Sequence, residues 1–307
     1  MTAAPTRFRP DHQLTARMLL TVFLLGLVYV AFVAALIVLI KSVAVVVLIV
    51  GVLLAAQFWF SDRIALYAMR ARVVGPEEEP GLHAVVDRLC AMAAMPKPRL
   101  AVADTDVPEA FATGRSADRA VVCVTTGLLR RLDTEELSGV LAHELSHVAH
   151  RDVAVMTAAS FLGVLAGLVT RFAFYSTMFG GGRRADRGGQ DVFVGILLVM
   201  AVSAVVYAIS FLLVRALSRY RELAADRAGA MLTGRPSALA SALTKVTGTI
   251  GRIPTRDLRT VAPLSAFFLV PALGARPGLA GLLATHPSLR RRLDQLAELA
   301  RQLGDEG

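Results

Sequence analysis

Leu141-Ala-His-Glu-Leu-Ser-His-Val-Ala-His150 is the stretch on which the reading of this 307-residue chain turns. His143, Glu144 and His147 form an H-E-x-x-H pattern. Residues four apart share one face of a helix, so both imidazoles can reach one ion, while Glu144 projects about 100° round the axis beside an open coordination position. The pattern predicts one zinc ion per chain, with Glu144 as the general base that takes a proton from water at the metal. The helical setting is legible as well: Asp133, then Thr134, Glu135 and Glu136, supplies an N-cap with a Glu at the third position. Leu137, Val140, Leu141, Leu145 and Val148 follow as an apolar stripe. Packing histidines or a structural metal site are the bland alternative, and the helix weighs against them.

A catalytic zinc takes a third protein ligand and keeps a fourth position open. Cys90 and Cys123 form no C-x-x-C pair. His150 lies on the right face, but positions 143 and 150 stand about 10 Å apart along the axis, too far for one ion. His150 is therefore expected beside the ligands or at an interface. Glu222, in Ser218-Arg-Tyr-Arg-Glu-Leu-Ala-Ala-Asp226, is the better third ligand. Asp226, four residues on, shares its face and is placed to orient a ligand histidine. A solvated acidic face paired with Arg219, Arg221 and Arg227 competes with this reading, and spacing alone leaves both open.

Composition places the chain in a bilayer: 55 % of residues are hydrophobic and the mean hydropathy is +0.58. Four spans emerge, Met18 to Ile40, Val43 to Phe60, Val153 to Met178 and Val192 to Val214, each about long enough for a 30 Å hydrocarbon core. The first is too long for a signal peptide and lacks a polar cleavage region. Eleven arginines flank one side of these spans (Arg7, Arg9, Arg17, Arg63, Arg70, Arg72, Arg151, Arg215, Arg219, Arg221, Arg227). Lys41, Arg183, Arg184 and Arg187 flank the other, so both termini and the H-E-x-x-H segment are expected in the cytoplasm. Two unpaired cysteines agree with a reducing compartment. The net charge of +9 is then a membrane-surface feature, and no basic-aromatic motif suggests nucleic acid.

This topology tests the ligand assignment. Spans three and four run in opposite directions, so the helix entering one and the helix leaving the other share a side of the membrane. His147 precedes span three by six residues and Glu222 follows span four by eight, which is about 9 Å and 12 Å along a helix. Nothing in the histidine pattern forces that match in depth.

The remaining segments support the site. Gly75-Pro-Glu-Glu-Glu-Pro80 reads as a breaker and solvated acidic linker, and Leu82, Val85, Val86, Leu89, Cys90 and Ala93 mark an amphipathic helix. Arg99 to Ala103, Ala110 to Thr113 and Ala120 to Thr126 read as a small antiparallel sheet. An exposed edge formed by Ala110, Phe111, Ala112 and Thr113 would accept an extended substrate by strand addition, though a merely supporting sheet fits the residues equally. Pro236 to Gly251 and Pro287 to Gln302 look helical, Ala266 to Val270 is too short to span a bilayer, and His286 precedes the last helix. His286 is a candidate for stabilising a tetrahedral intermediate or for a simple helix-start role.

Glu109-Ala-Phe-Ala-Thr-Gly114, Val124-Thr-Thr-Gly-Leu-Leu129, the His143 motif with Arg151-Asp152, Arg221-Glu-Leu-Ala-Ala-Asp226 and Thr285-His-Pro287 with Arg292 together resemble the successive motifs of the HtpX-like membrane zinc endopeptidases. The resemblance covers nearly the whole chain. Those enzymes are gluzincins related to the CAAX prenyl proteases. By resemblance, His143, His147 and Glu222 are zinc ligands, Glu144 the base, Asp226 the partner of a ligand histidine, and His286 and Arg292 lie at the transition state or behind the ligands. Degradation of damaged membrane proteins beside an ATP-dependent membrane protease is implied by resemblance alone. Glu109 stands where the family has Asn, His150 where it has Asn, and Leu223 where it has Tyr.

The expectation is thus a mainly α membrane protein of the bacterial inner membrane, with four transmembrane helices and a cytoplasmic α+β gluzincin-like zinc protease domain. Residues 1–17 form a basic N-terminus, 18–60 and 153–214 are transmembrane hairpins, the second with an outer loop at 179–191, and 61–152 and 215–307 carry the two halves of the site. A prenyl-protein protease, or a membrane scaffold with a structural metal, are the alternatives. An intact open ligand set argues against the scaffold, and the absence of further spans argues against the prenyl protease.

Overall fold

The computed structural model describes residues 12–40, 69–114, 117–150, 188–250 and 287–305, with positions 48, 50–52, 55 and 66–67. The chain divides into two compact units, one of residues 16–59 and 155–217, the other of residues 1–15, 60–154 and 218–307.

The first unit is built on apolar helices. In α1 (His12–Ile40), Leu19, Leu20, Phe23, Leu27 and Val30 are exposed, as are Val194, Leu197, Leu198, Val205 and Leu212 of a long later helix, α5 (Gly188–Thr233). Within the unit Leu25, Phe32, Leu36, Val50 and Val206 are buried against one another. Apolar residues turned outward in such numbers suit lipid, not water. Thr15–Val38 and Leu197–Thr233 are long and apolar enough to cross a membrane. The second expected span is described at only a few positions, and the third lies outside the described residues. The fourth expected span lies on α5, which is already helical at Gly188, inside the expected outer loop, and runs unbroken for 46 residues. Near the end of its apolar stretch the Arg215 guanidinium lies 3.8 Å from the centroid of the Phe211 ring, a charge held over an aromatic face.

The second unit has a sheet of four strands among the described residues, β1 (Arg72–Val73), β2 (Arg99–Ala103), β3 (Ala110–Thr113) and β4 (Val121–Thr125), in the order β1-β2-β4-β3. The sheet is mixed, which corrects the antiparallel expectation. β1 and β3 run antiparallel to their neighbours, but β2 and β4 are parallel, pairing Arg99 with Val121 and Ala103 with Thr125. The reason is the order: β3 turns back on β4 as a hairpin, while β4 inserts between β3 and β2, so the chain returns to β2 in its original direction. β4, Val-Val-Cys-Val-Thr, is β-branched at every position but Cys123 and buried throughout, as a central strand requires. Gly114 ends β3 at φ +132°, and a Cβ there would lie 2.7 Å from the Arg119 carbonyl oxygen, so glycine is needed.

Helices cover this sheet. α2 (Pro80–Ala93) starts with proline in its first turn and ends at Ala94 in the left-handed region, φ 51°. The acidic linker before it is solvent-exposed at 76–78 and forms a turn: Glu78 accepts the Gly75 N–H at 2.9 Å and pairs with Arg72. After the short α3 (Thr126–Leu129), α4 (Thr134–Ala149) packs on α2, on β3 and on α6 (Pro236–Ile250), which in turn packs on α7 (Leu289–Leu303). The shared core joins Leu100, Phe111 and Val122 of the sheet to Leu141 and Leu145 of α4 and Leu239 and Leu296 beyond.

Candidate metal centre

α4 is held at its start by a reciprocal cap. The Asp133 carboxylate accepts the N–H groups of Glu135 and Glu136, both at 2.9 Å, and Glu136 Oε2 accepts the Asp133 N–H at 3.1 Å. Glu136 Oε1 also accepts from Ser241 Oγ at 2.6 Å and meets Lys245 Nζ at 2.5 Å, tying the start of α4 to α6. Every residue from Glu136 to Val148 is buried. The histidines are thus presented from a helix sunk in the core.

α4 and α5 bring the sequence-predicted residues together. The His143 and His147 rings meet edge to face with centroids 4.9 Å apart. Glu222 Oε2 lies 3.6 Å from His143 Nε2, and Glu222 Oε1 lies 3.5 Å from His147 Nε2. One ligand atom of each of the three residues falls within 4.8 Å of the others, and all three residues are buried. Four ligands at about 2.05 Å round a tetrahedral zinc stand about 3.3 Å from one another, so the two nitrogen-to-oxygen separations are of the order such an ion sets. His150 is outside this cluster. It terminates α4, with Nδ1 2.8 Å from the Ser146 carbonyl oxygen.

The surroundings fix how the ligands point. Asp226 Oδ1 lies 2.9 Å from His143 Nδ1, which leaves Nε2 of that ring facing Glu222. Arg292 of α7, 2 % exposed, grips both oxygens of Asp226, Nε to Oδ2 at 2.7 Å and Nη2 to Oδ1 at 2.6 Å. Its Nη1 is 3.9 Å from Glu222 Oε2, and Gln295 donates to the Leu223 carbonyl at 2.8 Å. Arg221 is buried, with Nη2 3.4 Å from His147 Nδ1, and is not the surface ion-pair partner that its charge suggested. His286 lies outside the described residues.

Charge completes the picture. Burial resists ionisation of Asp226, but the Arg292 guanidinium and then His143 hold its carboxyl below the usual range. Burial likewise opposes charge on His143, yet Asp226 and Glu222 push it up to about 9. Glu144, 2 % exposed, has its carboxyl pushed up by burial, against the pull of His143 and His147, and accepts the Ala112 N–H. Three buried carboxylates, Glu144, Glu222 and Asp226, therefore meet two buried guanidiniums, Arg221 and Arg292. Buried charge needs a partner. A divalent cation beside Glu222 would be such a partner.

β3 is the edge strand of the sheet and lies against α4, with its four residues all buried. Glu109, just before it, is wholly buried, and its backbone exchanges hydrogen bonds with Thr125, through the hydroxyl at 2.9 Å and the N–H at 3.0 Å.

The profile of Peptidase family M48 matches residues 76–300, a stretch that takes in both halves of this centre. The chain belongs to that family. It is 66 % identical over 300 residues to "Protease HtpX homolog 1" of Streptomyces coelicolor, covering 98 % of this chain and 97 % of the relative. It is 49 % identical over 294 residues to "Protease HtpX homolog" of Moorella thermoacetica, covering 95 % and 96 %. Among solved structures, Ste24p of S. mikatae aligns with 93 % of this chain and 66 % of its own, at 16 % identity and a TM-score of 0.49. Family membership and apolar helices of membrane-crossing length make this a membrane-associated metallopeptidase.

Proposed function

We propose that this M48 peptidase is an integral-membrane zinc endopeptidase that cleaves peptide bonds at the cytoplasmic face of the membrane. The observation that carries the proposal is the buried triangle of His143, His147 and Glu222, with nitrogen-to-oxygen separations of 3.5 and 3.6 Å. A zinc ion held by these three would supply Lewis-acid chemistry, polarising water and a peptide carbonyl. Glu144 takes the proton as water attacks and returns it to the departing amine, and a carboxyl already pushed up by burial is suited to both transfers. Asp226 holds His143 in the tautomer with hydrogen on Nδ1, and Arg292 holds Asp226. With both carboxylate oxygens to serve, Arg292 acts through Asp226 instead of at the substrate.

Ala110, Phe111, Ala112 and Thr113 remain the proposed strand beside which substrate runs, because the N–H of Ala112 already reaches Glu144. In the proposed topology four spans, 18–40, 43–60, 153–178 and 192–214, leave both termini and both halves of the site in the cytoplasm. Substrates are proteins of the same membrane. The cellular role is the one that likeness to the HtpX-like endopeptidases implies: removal of misfolded or damaged membrane proteins, alongside an ATP-dependent membrane protease.

Glu144→Gln tests the mechanism. The variant should keep its zinc and lose about 10² to 10⁴ in the rate of cleaving casein or a membrane substrate. Cleavage at the wild-type rate by purified Glu144→Gln would remove the general base from the account.

A further inference from the structure

Glu222, Asp226 and Gly229 stand at i, i+4 and i+7 of α5 and so share one face, the face that meets α4. Apart from proline, glycine is the least favourable residue for a helix interior, and Gly229 sits inside α5 with Thr233 Oγ1 donating back to its carbonyl at 3.0 Å. Close approach explains it. A Cβ on Gly229 would lie 2.8 Å from the backbone nitrogen of His143, 3.1 Å from its Cα and 3.2 Å from the carbonyl carbon of Ala142. All three are backbone atoms of the metal-binding helix and cannot swing aside as a side-chain tip would.

We infer that Gly229 is a positioning residue for the metal centre: its missing side chain lets α5 come near enough to the backbone of His143 for Glu222 and Asp226 to meet the two histidines. The inference rests on the zinc reading above. Any Cβ at 229 must retreat from 2.8 Å to at least 3.4 Å to make an ordinary contact, a shift of 0.6 Å (3.4 − 2.8). Asp226 is one helical turn from this point and Glu222 two, about 4.5 Å and 10.5 Å along the axis, so the shift reaches both. Metal–ligand distances tolerate about 0.2 Å. The two helices cannot part by three times that and still close the His143, His147 and Glu222 triangle.

Gly139 supplies the contrast. It lies on α4 too, and a Cβ there would come within 3.2 Å of Leu239 in α6, so Gly139→Ala strains the packing of α4 without touching α5. A Cβ on Gly195, also in α5, would meet nothing within 4 Å, so that position controls for helix propensity.

The experiment uses the full chain in detergent, loaded with Zn²⁺ or with Co²⁺, whose visible absorption reports tetrahedral geometry. Zinc affinity is read by competition with a chelator, and melting by circular dichroism. Gly229→Ala should bind zinc about 10- to 100-fold more weakly and lose the intense tetrahedral cobalt bands. Gly139→Ala should melt lower with wild-type affinity and spectrum, and Gly195→Ala should match the wild type in both metal readouts. Wild-type affinity and bands in Gly229→Ala, or equal losses in Gly139→Ala, overturn the inference. So does a Gly229→Ala chain that fails to fold while Gly139→Ala folds, since that marks a packing role. A wild-type chain without tetrahedral cobalt bands overturns the zinc reading itself.

Discussion

Arg292→Met keeps the length and the apolar stem of the side chain and removes the guanidinium. Asp226 is fully buried, and both of its oxygens lose their donors at 2.6 and 2.7 Å, leaving His143 as its partner at 2.9 Å. Removing one member of a buried, hydrogen-bonded ion pair costs about 3–5 kcal/mol, because the other charge stays behind without compensation. At about 2–4 °C per kcal/mol for a chain of this size, the apparent melting temperature should fall by about 6–20 °C. The Asp226 carboxylate also loses its anchor, so zinc affinity should drop about 10- to 100-fold. Adding Asp226→Asn separates the two effects. It takes away the uncompensated charge and should recover a good part of the melting temperature, but it cannot restore a charged partner for His143, so zinc affinity stays low. Both quantities are read on the full chain in detergent, melting by circular dichroism and zinc by chelator competition. An Arg292→Met protein with wild-type melting and wild-type zinc affinity would refute the reasoning, as would a double variant no more stable than the single one.

Further expectations concern the ligands, the topology and the acid limb of stability. Glu222→Ala should lose zinc and activity together while His150→Ala keeps its zinc, as metal analysis of the purified proteins will tell; the reverse pattern would discard this ligand set. Reporters fused after Ala149 and after Gly229 should both read cytoplasm and one within 180–189 the outer side; opposite readings from the first two would keep His147 and Glu222 from sharing a metal. Asp133 is held below the usual carboxylate range first by the Glu136 N–H, and Asp305 by Ser237, whose N–H it accepts at 2.8 Å. Depressed values mean stability that is present above about pH 4, the unfolded value, and is lost as pH falls through the lower folded ones. Asp133→Asn should therefore shrink the loss of stability between about pH 4 and pH 2, and an unchanged acid limb in denaturant melts would exclude the cap as its source.

Local patterns in the sequence carry more of this centre than long-range ones do. His143, Glu144 and His147 are legible because one helix sets their spacing, and the Asp133 cap because its four residues are consecutive. Glu222 and Asp226 are legible as a pair by the same rule. The Arg292 grip on Asp226 spans 66 residues, and no periodicity links a cation in α7 to a carboxylate in α5. A signal was present nonetheless: Arg292 falls on the apolar face of an otherwise charged helix, beside the buried Leu296 and Leu299, where a lone guanidinium needs a buried anion. Strands β2, β3 and β4 were legible almost to the residue, but the two-residue β1 and the strand order were not. Parallel pairing of β2 with β4 depends on which side of β4 the hairpin strand β3 takes, and alternation along a strand carries no record of that. The burial of β3 escaped as well, since alternation along a strand carries no record of the helix that lies against it.

These long-range contacts share one physical cause. α4 supplies two imidazoles and the Glu144 carboxyl, α5 two carboxylates and the Arg221 guanidinium, and α7 the Arg292 guanidinium, and none of the three helices alone balances the charge it brings into the core. Asp226 would be costly without Arg292, Glu222 without a cation, and Arg292 without Asp226. The helices are therefore held in register by electrostatic need as well as by apolar packing, and a cation between Glu222 and the two histidines, as proposed above, would supply the charge that the guanidiniums leave unbalanced. That arrangement explains why the centre is sunk in the core instead of lying on a loop. A deep, dry setting strengthens each of these interactions and pushes the Glu144 carboxyl up, so the features that assemble the helices are also those that would prepare Glu144 for the proton transfer proposed for it.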